Sequence, residues 1–325
     1  MFHHPVTGVK RRKEVKMVDF LICDKGFAQI ENWEPNCWIE VTKPNQKELD
    51  DLRNKYDVPF EFIKDIEDVE ERPRIEVEDG WLMTLLRIPY KNEESNSPFS
   101  TVPFGILLKG DIFITICHYQ TDMASDFVRY TARKNIRSLI GINLLLSLYL
   151  SSSVWYLKYL KQMNQQIKQA ENQLEESIRN EELHQLMRFE KSLVYFITSL
   201  RGNEVLLARL KKYLKTSAAS FDDDLLDEVE IELQQAYTTA NIYSDILAGT
   251  MDAYASIISN NLNVIMKQLT SVSIILMIPT VVASMYGMNV PNTLESNPYG
   301  FWIILLFSIF LSLFGIWMFK RHKFF

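Results

Sequence analysis

Cysteine is scarce in this chain. Three residues, Cys23, Cys37 and Cys117, stand far apart in 325 with no CxxC pair. That excludes a disulfide scaffold and a zinc framework and fits a reducing compartment. No Walker sequence or Gly-rich nucleotide loop occurs, so any transport is expected to be passive. The formal net charge of -6 is mild and gives no reason to expect nucleic acid as a partner. The first twenty residues lack an apolar core and a cleavage site, and Lys10 to Lys13 is basic; no signal peptide is expected, and the long N-terminal region is placed in the cytosol. The acidic run from Asp65 to Glu71 comes without a nucleophile or phosphate loop, so it reads as surface or as an attraction for cations, and no enzyme is expected. His3, His4 and His118 have no defined third ligand to make a metal site.

Charge is missing from two stretches near the end, Gln268 to Asn289 and Tyr299 to Phe319. A hydrocarbon core of ~30 Å needs about 20 apolar residues as helix, so each can cross a bilayer once. The connecting segment, Val290 to Pro298, holds Glu295 and no Lys or Arg. Lys267 precedes the first span, and Lys320, Arg321 and Lys323 follow the second. Positive residues stay on the cytoplasmic side, so a plasma-membrane hairpin with both termini inside is expected. A mean hydropathy of -0.08 is too low for a chain that is mostly membrane. Ser138 to Leu157 is also uncharged, but it carries five serines and an asparagine and has basic residues on both flanks. It reads as a buried core helix.

The soluble part has two styles. Up to about Tyr119, short apolar runs alternate with turn residues. Trp38 to Val41, Trp81 to Ile88, Val102 to Leu108 and Ile112 to Cys117 are predicted strands, with Lys109-Gly110-Asp111 as a hairpin turn. Pro44 to Lys55 and Pro59 to Ile66 read as helices. From Gln120 on, only helical periodicity remains, in blocks over 155–215 and 222–289. Leu183, Leu186, Phe189, Leu193 and Phe196 form the apolar face of the first. Thr216 to Ser220 breaks the blocks, and Asp222-Asp223-Asp224 suits a helix start. The second block meets no proline until Pro279, so most of it must stand outside the bilayer as a stalk.

Along that second block, Asp252, Ser256, Ser259, Asn263, Met266, Thr270, Ser273, Met277, Thr280, Ser284 and Gly287 recur at three- and four-residue steps. One reading is helix packing through small residues. The other is the lining of a water-filled pore, favoured by an asparagine near one mouth and another just past the far end. Two spans cannot enclose a conduit, so a pore requires several copies around an axis. The lining has no carboxylate or lysine at membrane depth, which suits a hydrated hard cation such as Mg2+, the divalent that sheds water most reluctantly.

Tyr286-Gly287-Met288-Asn289 at the end of a membrane helix, then a short loop, a last span and a basic tail, resembles the CorA family of divalent cation channels. Gly249 to Tyr254, Asn263 to Thr270, Phe189 to Phe196 and Arg72 to Glu76 carry the likeness upstream. The resemblance implies a homopentameric funnel with an α+β (α/β/α-type) cytosolic domain, a helical stalk and two membrane helices per chain. The organisation is then 1–154, cytosolic mixed α/β domain; 155–220, antiparallel helices; 221–289, stalk and pore helix; 290–298, outer loop; 299–319, second span; and 320–325, basic tail. It implies a selectivity ring of Gly287, Met288 and Asn289. Thr280, Met277, Leu269, Met266, Asn263 and Asp252 match lining positions, with Met266 and Leu269 suited to a constriction that closes by dewetting.

The family senses cytosolic Mg2+ at acidic sites between subunits. The stalk position falls on Glu228, with Asp224 and Asp227 beside it and Glu93 or Glu94 as partner acids. Pro279 and Ser284 depart from the family pattern. The implied function is potential-driven Mg2+ influx, with Mg2+ as substrate and regulatory ligand, no cofactor, and lipid and further copies of the chain as partners. A zinc, cobalt or nickel transporter on the same scaffold and a non-conducting membrane-anchored sensor are the alternatives.

Overall fold

The computed structural model describes residues 18–92, 97–176, 180–217, 220–288 and 297–321. The chain divides into two compact units, Met1–Ala248 and Gly249–Phe325.

The first unit is built on a sheet of seven strands: β1 (Val18–Cys23), β2 (Phe27–Ile30), β3 (Trp38–Thr42), β4 (Arg74–Glu78), β5 (Trp81–Lys91), β6 (Phe99–Lys109) and β7 (Ile112–Cys117). Their order is β2-β1-β3-β7-β6-β5-β4. Only β3 and β7 pair in parallel, and β6 and β7 are joined by the expected hairpin. Gly110 takes φ +57° there, a left-handed turn conformation that glycine adopts without a Cβ penalty. The four predicted strands form, and β1, β2 and β4 are additional. β4 escapes notice because Val77 is exposed and Ile75 only half-buried, so an edge strand carries no strong apolar signal.

Helices cover both faces. α1 (Gln46–Tyr56) and α2 (Phe60–Glu67) place Leu49, Leu52, Phe62 and Ile66 in one core with Ile39, Met83, Leu85 and Ile114. α1 starts on a capping box: Asn45 accepts from the Glu48 N–H, and the Glu48 carboxylate accepts from the Asn45 N–H. α3 (Asp122–Lys134), α4 (Gly141–Glu176) and α5 (Asn180–Thr216) contact the sheet or one another on the opposite side. Phe27, Trp38 and Phe127 meet there edge-on or tilted, and Phe99 meets Tyr159 and Phe196. Because β5 and β6 are buried on both faces, they read as continuous apolar runs without alternation.

α4 contains the uncharged serine-rich stretch, and its Leu144, Leu145, Leu148, Tyr149, Ser152 and Ser153 are buried, as a core helix requires. It begins at Gly141 and runs unbroken through residue 154, so the boundary expected between 154 and 155 falls inside one helix. The Tyr149 hydroxyl donates to the Asn203 carbonyl (2.5 Å) and Tyr156 stacks edge-on with Phe196. Residue numbers thus rise along α4 as they fall along α5, and the two helices are antiparallel.

One group of buried polar side chains in this unit bonds the backbone of β5. Asn203 accepts from the Arg87 N–H (3.1 Å) and donates to the Arg87 carbonyl (2.8 Å), and the Tyr156 hydroxyl donates to the same carbonyl (3.0 Å). Asp65, Glu71 and Glu76 all pair with Arg74, so part of the acidic run is neutralised within the chain. Glu40 sits directly opposite Asp19 in the β1–β3 ladder; burial, and then the Asp19 charge, push its carboxyl up to about 7.

α6 (Asp223–Tyr286) is 64 residues long and enters both units, and α7 (Gly300–Arg321) completes the second. Pro279 lies inside α6 without ending it. Both helices are long and apolar enough to cross a bilayer. Asn297 caps α7, its side chain accepting from the Tyr299 N–H (3.0 Å) and its carbonyl from the Gly300 N–H (2.9 Å).

Candidate functional site

Within the second unit the two sides of α6 have different fates. Ser271 is 1% exposed, and Ile275, Ile278 and Val282 are half-buried. On α7 the covered residues are Gly300, Ser308 and Gly315. A Cβ added at Gly315 would lie 3.3 Å from Ile278 Cδ1 and 3.9 Å from Ile275 Cγ1, so this is where the hairpin closes. Asn263, Met266, Thr270, Ser273, Met277, Thr280 and Ser284 are all exposed. At about 3.6 residues per turn they fall on the side of α6 opposite Ser271, Ile275, Ile278 and Val282. α7 therefore takes the apolar face and leaves the polar seam uncovered. Leu269 is exposed as well, displaced from the centre of the seam.

The hydroxyls of the seam have a specific polarity. Ser273 donates to the Leu269 carbonyl (2.9 Å), Thr280 to the Leu276 carbonyl (3.0 Å) and, lower down, Ser256 to the Asp252 carbonyl (3.0 Å). Each proton is turned back into the helix. The oxygen lone pairs face outward, so the seam offers acceptors. Past them α6 closes with the Gly287 N–H donating to the Ala283 carbonyl (2.9 Å), and Met288 is 59% exposed. Asn289, Glu295, Glu93 and Glu94 lie outside the described residues.

At the other end of α6, in the first unit, the acids have local tasks. Asp222 caps the helix, accepting from the N–H groups of Asp224 (3.0 Å) and Leu225 (3.3 Å). Lys211 on α5 pairs with Glu230 (2.6 Å) and Asp227 (3.7 Å). Glu228 and Glu232 edge a cavity of about 330 Å3 shared with Asp126, Tyr130 and Trp155. Among the described residues no three His, Cys, Asp or Glu side chains gather to hold a metal within one chain. Asp224, Asp227 and Glu228 are not brought together. Lys211 was not singled out by the sequence, since its pairing with α6 depends on how two long helices meet.

The model of the family described as CorA-like Mg2+ transporter protein matches residues 33–321. The chain is 25% identical over 288 residues to the cobalt/magnesium transport protein CorA of Methanocaldococcus jannaschii, covering 87% of this chain and 90% of that one. It is 24% identical over 272 residues to the Thermotoga maritima protein of the same name, covering 80% and 75% respectively. The complete structure of the CorA magnesium transporter from M. jannaschii superposes with a TM-score of 0.81 at 22% identity, covering 94% of this chain and 98% of the other.

Proposed function

The chain belongs to the CorA-like Mg2+ transporter family, and from that premise we propose that it is a passive channel carrying hydrated Mg2+ into the cytosol, driven by membrane potential and gradient. The relatives named for cobalt and magnesium transport make Co2+ a second cargo. The observation that carries this reading is the uncovered seam whose hydroxyl protons are spent inside the helix. A hydrated cation presents water hydrogens outward, so its path needs acceptors. Seam oxygens supply them at Ser273 and Thr280, and the side-chain oxygens of Asn263 and Asn289 would supply them at the two mouths. Mg2+ holds its water most firmly among common divalents, so such a lining suits it better than an ion that must be stripped.

Five copies around an axis would turn five seams toward one conduit, with Gly287, Met288 and Asn289 as the outer ring. Asp252 would attract cations at the cytosolic entrance, with Ser284, Met277 and Thr270 between the rings, and Met266 and Leu269 would form an apolar collar that closes by dewetting. Cytosolic Mg2+ would be sensed between copies, by Asp224, Asp227 or Glu228 of one and Glu93 or Glu94 of the next. A bound cation there removes repulsion between like-charged surfaces. α6 enters both units, so a shift at its acidic start has a direct path to the seam.

The test is ion entry into proteoliposomes under an inside-negative potential, read with magnesium, zinc and pH probes. Mg2+ entry is expected, abolished in Asn289→Ala with assembly intact. The pair Ser273→Ala and Thr280→Val should reduce it about tenfold or more by removing acceptors. Zinc entry with a pH change and no Mg2+ signal would replace the channel with a metal transporter on the same scaffold. Silence for every ion from intact assemblies free of internal Mg2+ would leave a sensor. Wild-type flux in Asn289→Ala would remove the ring assignment.

A further inference from the structure

Arginine inside an apolar strand is uncommon, and Arg87 in the middle of β5 leads to a cleft that the transport reading does not use. The cleft has a volume of about 1270 Å3 and lies in the first unit, between α5 and the segment entering β4. Pro73 closes one end against α5. A Cβ at Gly202 would come within 2.9 Å of Pro73 Cγ, so that contact leaves no slack. Arg72, Arg74, Arg87, Lys191 and Arg209 line the cleft, with Glu70 and Glu71 as its acids. Glu71 is committed to Arg74, along with Asp65 and Glu76. Among the described residues four cations of the lining then face one acid, on a chain whose net charge is -6.

The Arg87 guanidinium donates to the carbonyls of Val69, Glu71 and Thr101 and to the Thr101 hydroxyl, all neutral acceptors. Its donors are taken up by neutral groups, Asp68 acts on its charge only through space, and burial lowers its pKa from the ordinary arginine value. Around it are the hydroxyls of Thr101 and Ser199, 2.7 Å apart, and of Thr198. One wall is aromatic: Tyr90 and Tyr119 lie 5.3 Å apart centre to centre, and Tyr195, across on α5, is 48% exposed.

Concentrated arginine and lysine with hydroxyl donors is the chemistry that recognises phosphate oxygens. A single phosphate would fill little of this volume and meet few of these charges. We propose that the cleft binds a polyphosphate-bearing small anion of the nucleotide class, its phosphates held by Arg72, Lys191 and Arg209 over the field of Arg87, and its ring against the tyrosines. No phosphate loop is present, so the site binds without hydrolysis. Such anions are also strong Mg2+ ligands, and a site for them would let the protein register the phosphorylated pool that competes for its cargo.

The experiment is titration calorimetry on the full chain in detergent micelles at fixed free Mg2+, with tripolyphosphate, ATP, inorganic phosphate and adenosine as separate probes. Tripolyphosphate and ATP are expected to bind and adenosine not to. ATP binding more tightly identifies a nucleotide, and equal affinities identify the phosphate chain alone as the ligand. The triple substitution Arg72→Gln, Lys191→Gln, Arg209→Gln changes only exposed side chains and should weaken both at least tenfold. In a Thr198→Cys variant, the new thiol should label freely and be protected by tripolyphosphate. Absence of binding, affinity unchanged by the triple substitution, or a thiol already blocked in the ligand-free assembly would each overturn the proposal, the last because another copy would then cover the cleft. None of these readouts depends on ion flux.

Discussion

The two units solve opposite solvent problems with the same residue types. In Met1–Ala248 the large apolar side chains are inside. Trp38, Phe62, Trp81, Tyr149 and Phe196 are fully buried, and the buried Asn203 side chain bonds both backbone groups of Arg87. In Gly249–Phe325 the large apolar side chains point outward. Leu276, Leu306 and Phe310 are each about two-thirds exposed, while Ser271, Ser308 and Gly315 are buried. In water, packing is driven by removing apolar surface. In lipid that drive is absent, and helices approach through small residues. Seam and packing face can therefore share one helix. The small buried residues close the hairpin, and the small exposed ones stay uncovered along α6.

The sharpest break of this comparison is a matched truncation. Leu200→Ala, fully buried on α5, should destabilise the soluble unit by about 2–5 kcal/mol. Leu306→Ala, 65% exposed on α7, should cost under about 1 kcal/mol in bilayers. Thermal unfolding followed separately by tyrosine and by helix signals distinguishes them. Equal losses would mean that α7 is buried in a protein core.

A smaller effect comes from adding a methyl. The Cβ of Gly105→Ala would fall 2.2 Å from Ile66 Cδ1 in the closed α2–sheet core, and overpacking of that kind costs about 1–3 kcal/mol. Gly315→Ala meets Ile278 at 3.3 Å, which a shift of a few tenths of an ångström relieves, so urea midpoints should move for the first and barely for the second.

The smallest effect sharpens the chemistry of the soluble unit. Glu40 has its folded pKa raised to about 7 from 4.5, so the native state holds its proton over that window. Its contribution is intact below about 4.5 and is lost as pH rises through about 7. Glu40→Gln should accordingly stabilise the protein at pH 8, by up to about 2 kcal/mol after allowing for partial exposure, and leave it unchanged near pH 4.5. A variant equally altered at both pH values would show that Glu40 is not titrating.

Legibility in the chain followed the strength of the local signal. β5, β6 and β7 are long apolar runs bounded by turns, and two uncharged stretches mark α6 and α7, so these were readable. β1, β2 and β4 were not, because short or edge strands bury too little to impose a pattern. The boundary expected between 154 and 155 falls inside α4, because the serine-rich core stretch and the charged stretch that continues it differ in composition while forming one helix. The residues of the seam were readable from their spacing. The fate of their hydroxyl protons was not, since a serine's spacing says nothing about its rotamer. Asn289, proposed for the outer ring, and Glu93 and Glu94, proposed as partner acids, lie outside the described residues and were read from the sequence.

Sequence by itself marked the two helices long and apolar enough to cross a membrane and the polar stripe, because hydrophobic length and residue spacing are properties of each stretch alone. Only the tertiary structure decided which face of α6 is covered by α7, that Arg74 neutralises three acids of the soluble unit, that Lys211 reaches two acids of α6, and that Arg87 faces a basic cleft. Each of these joins residues distant in the chain or turned by a rotamer, and the energy of such a contact exists only once the elements that carry it have packed.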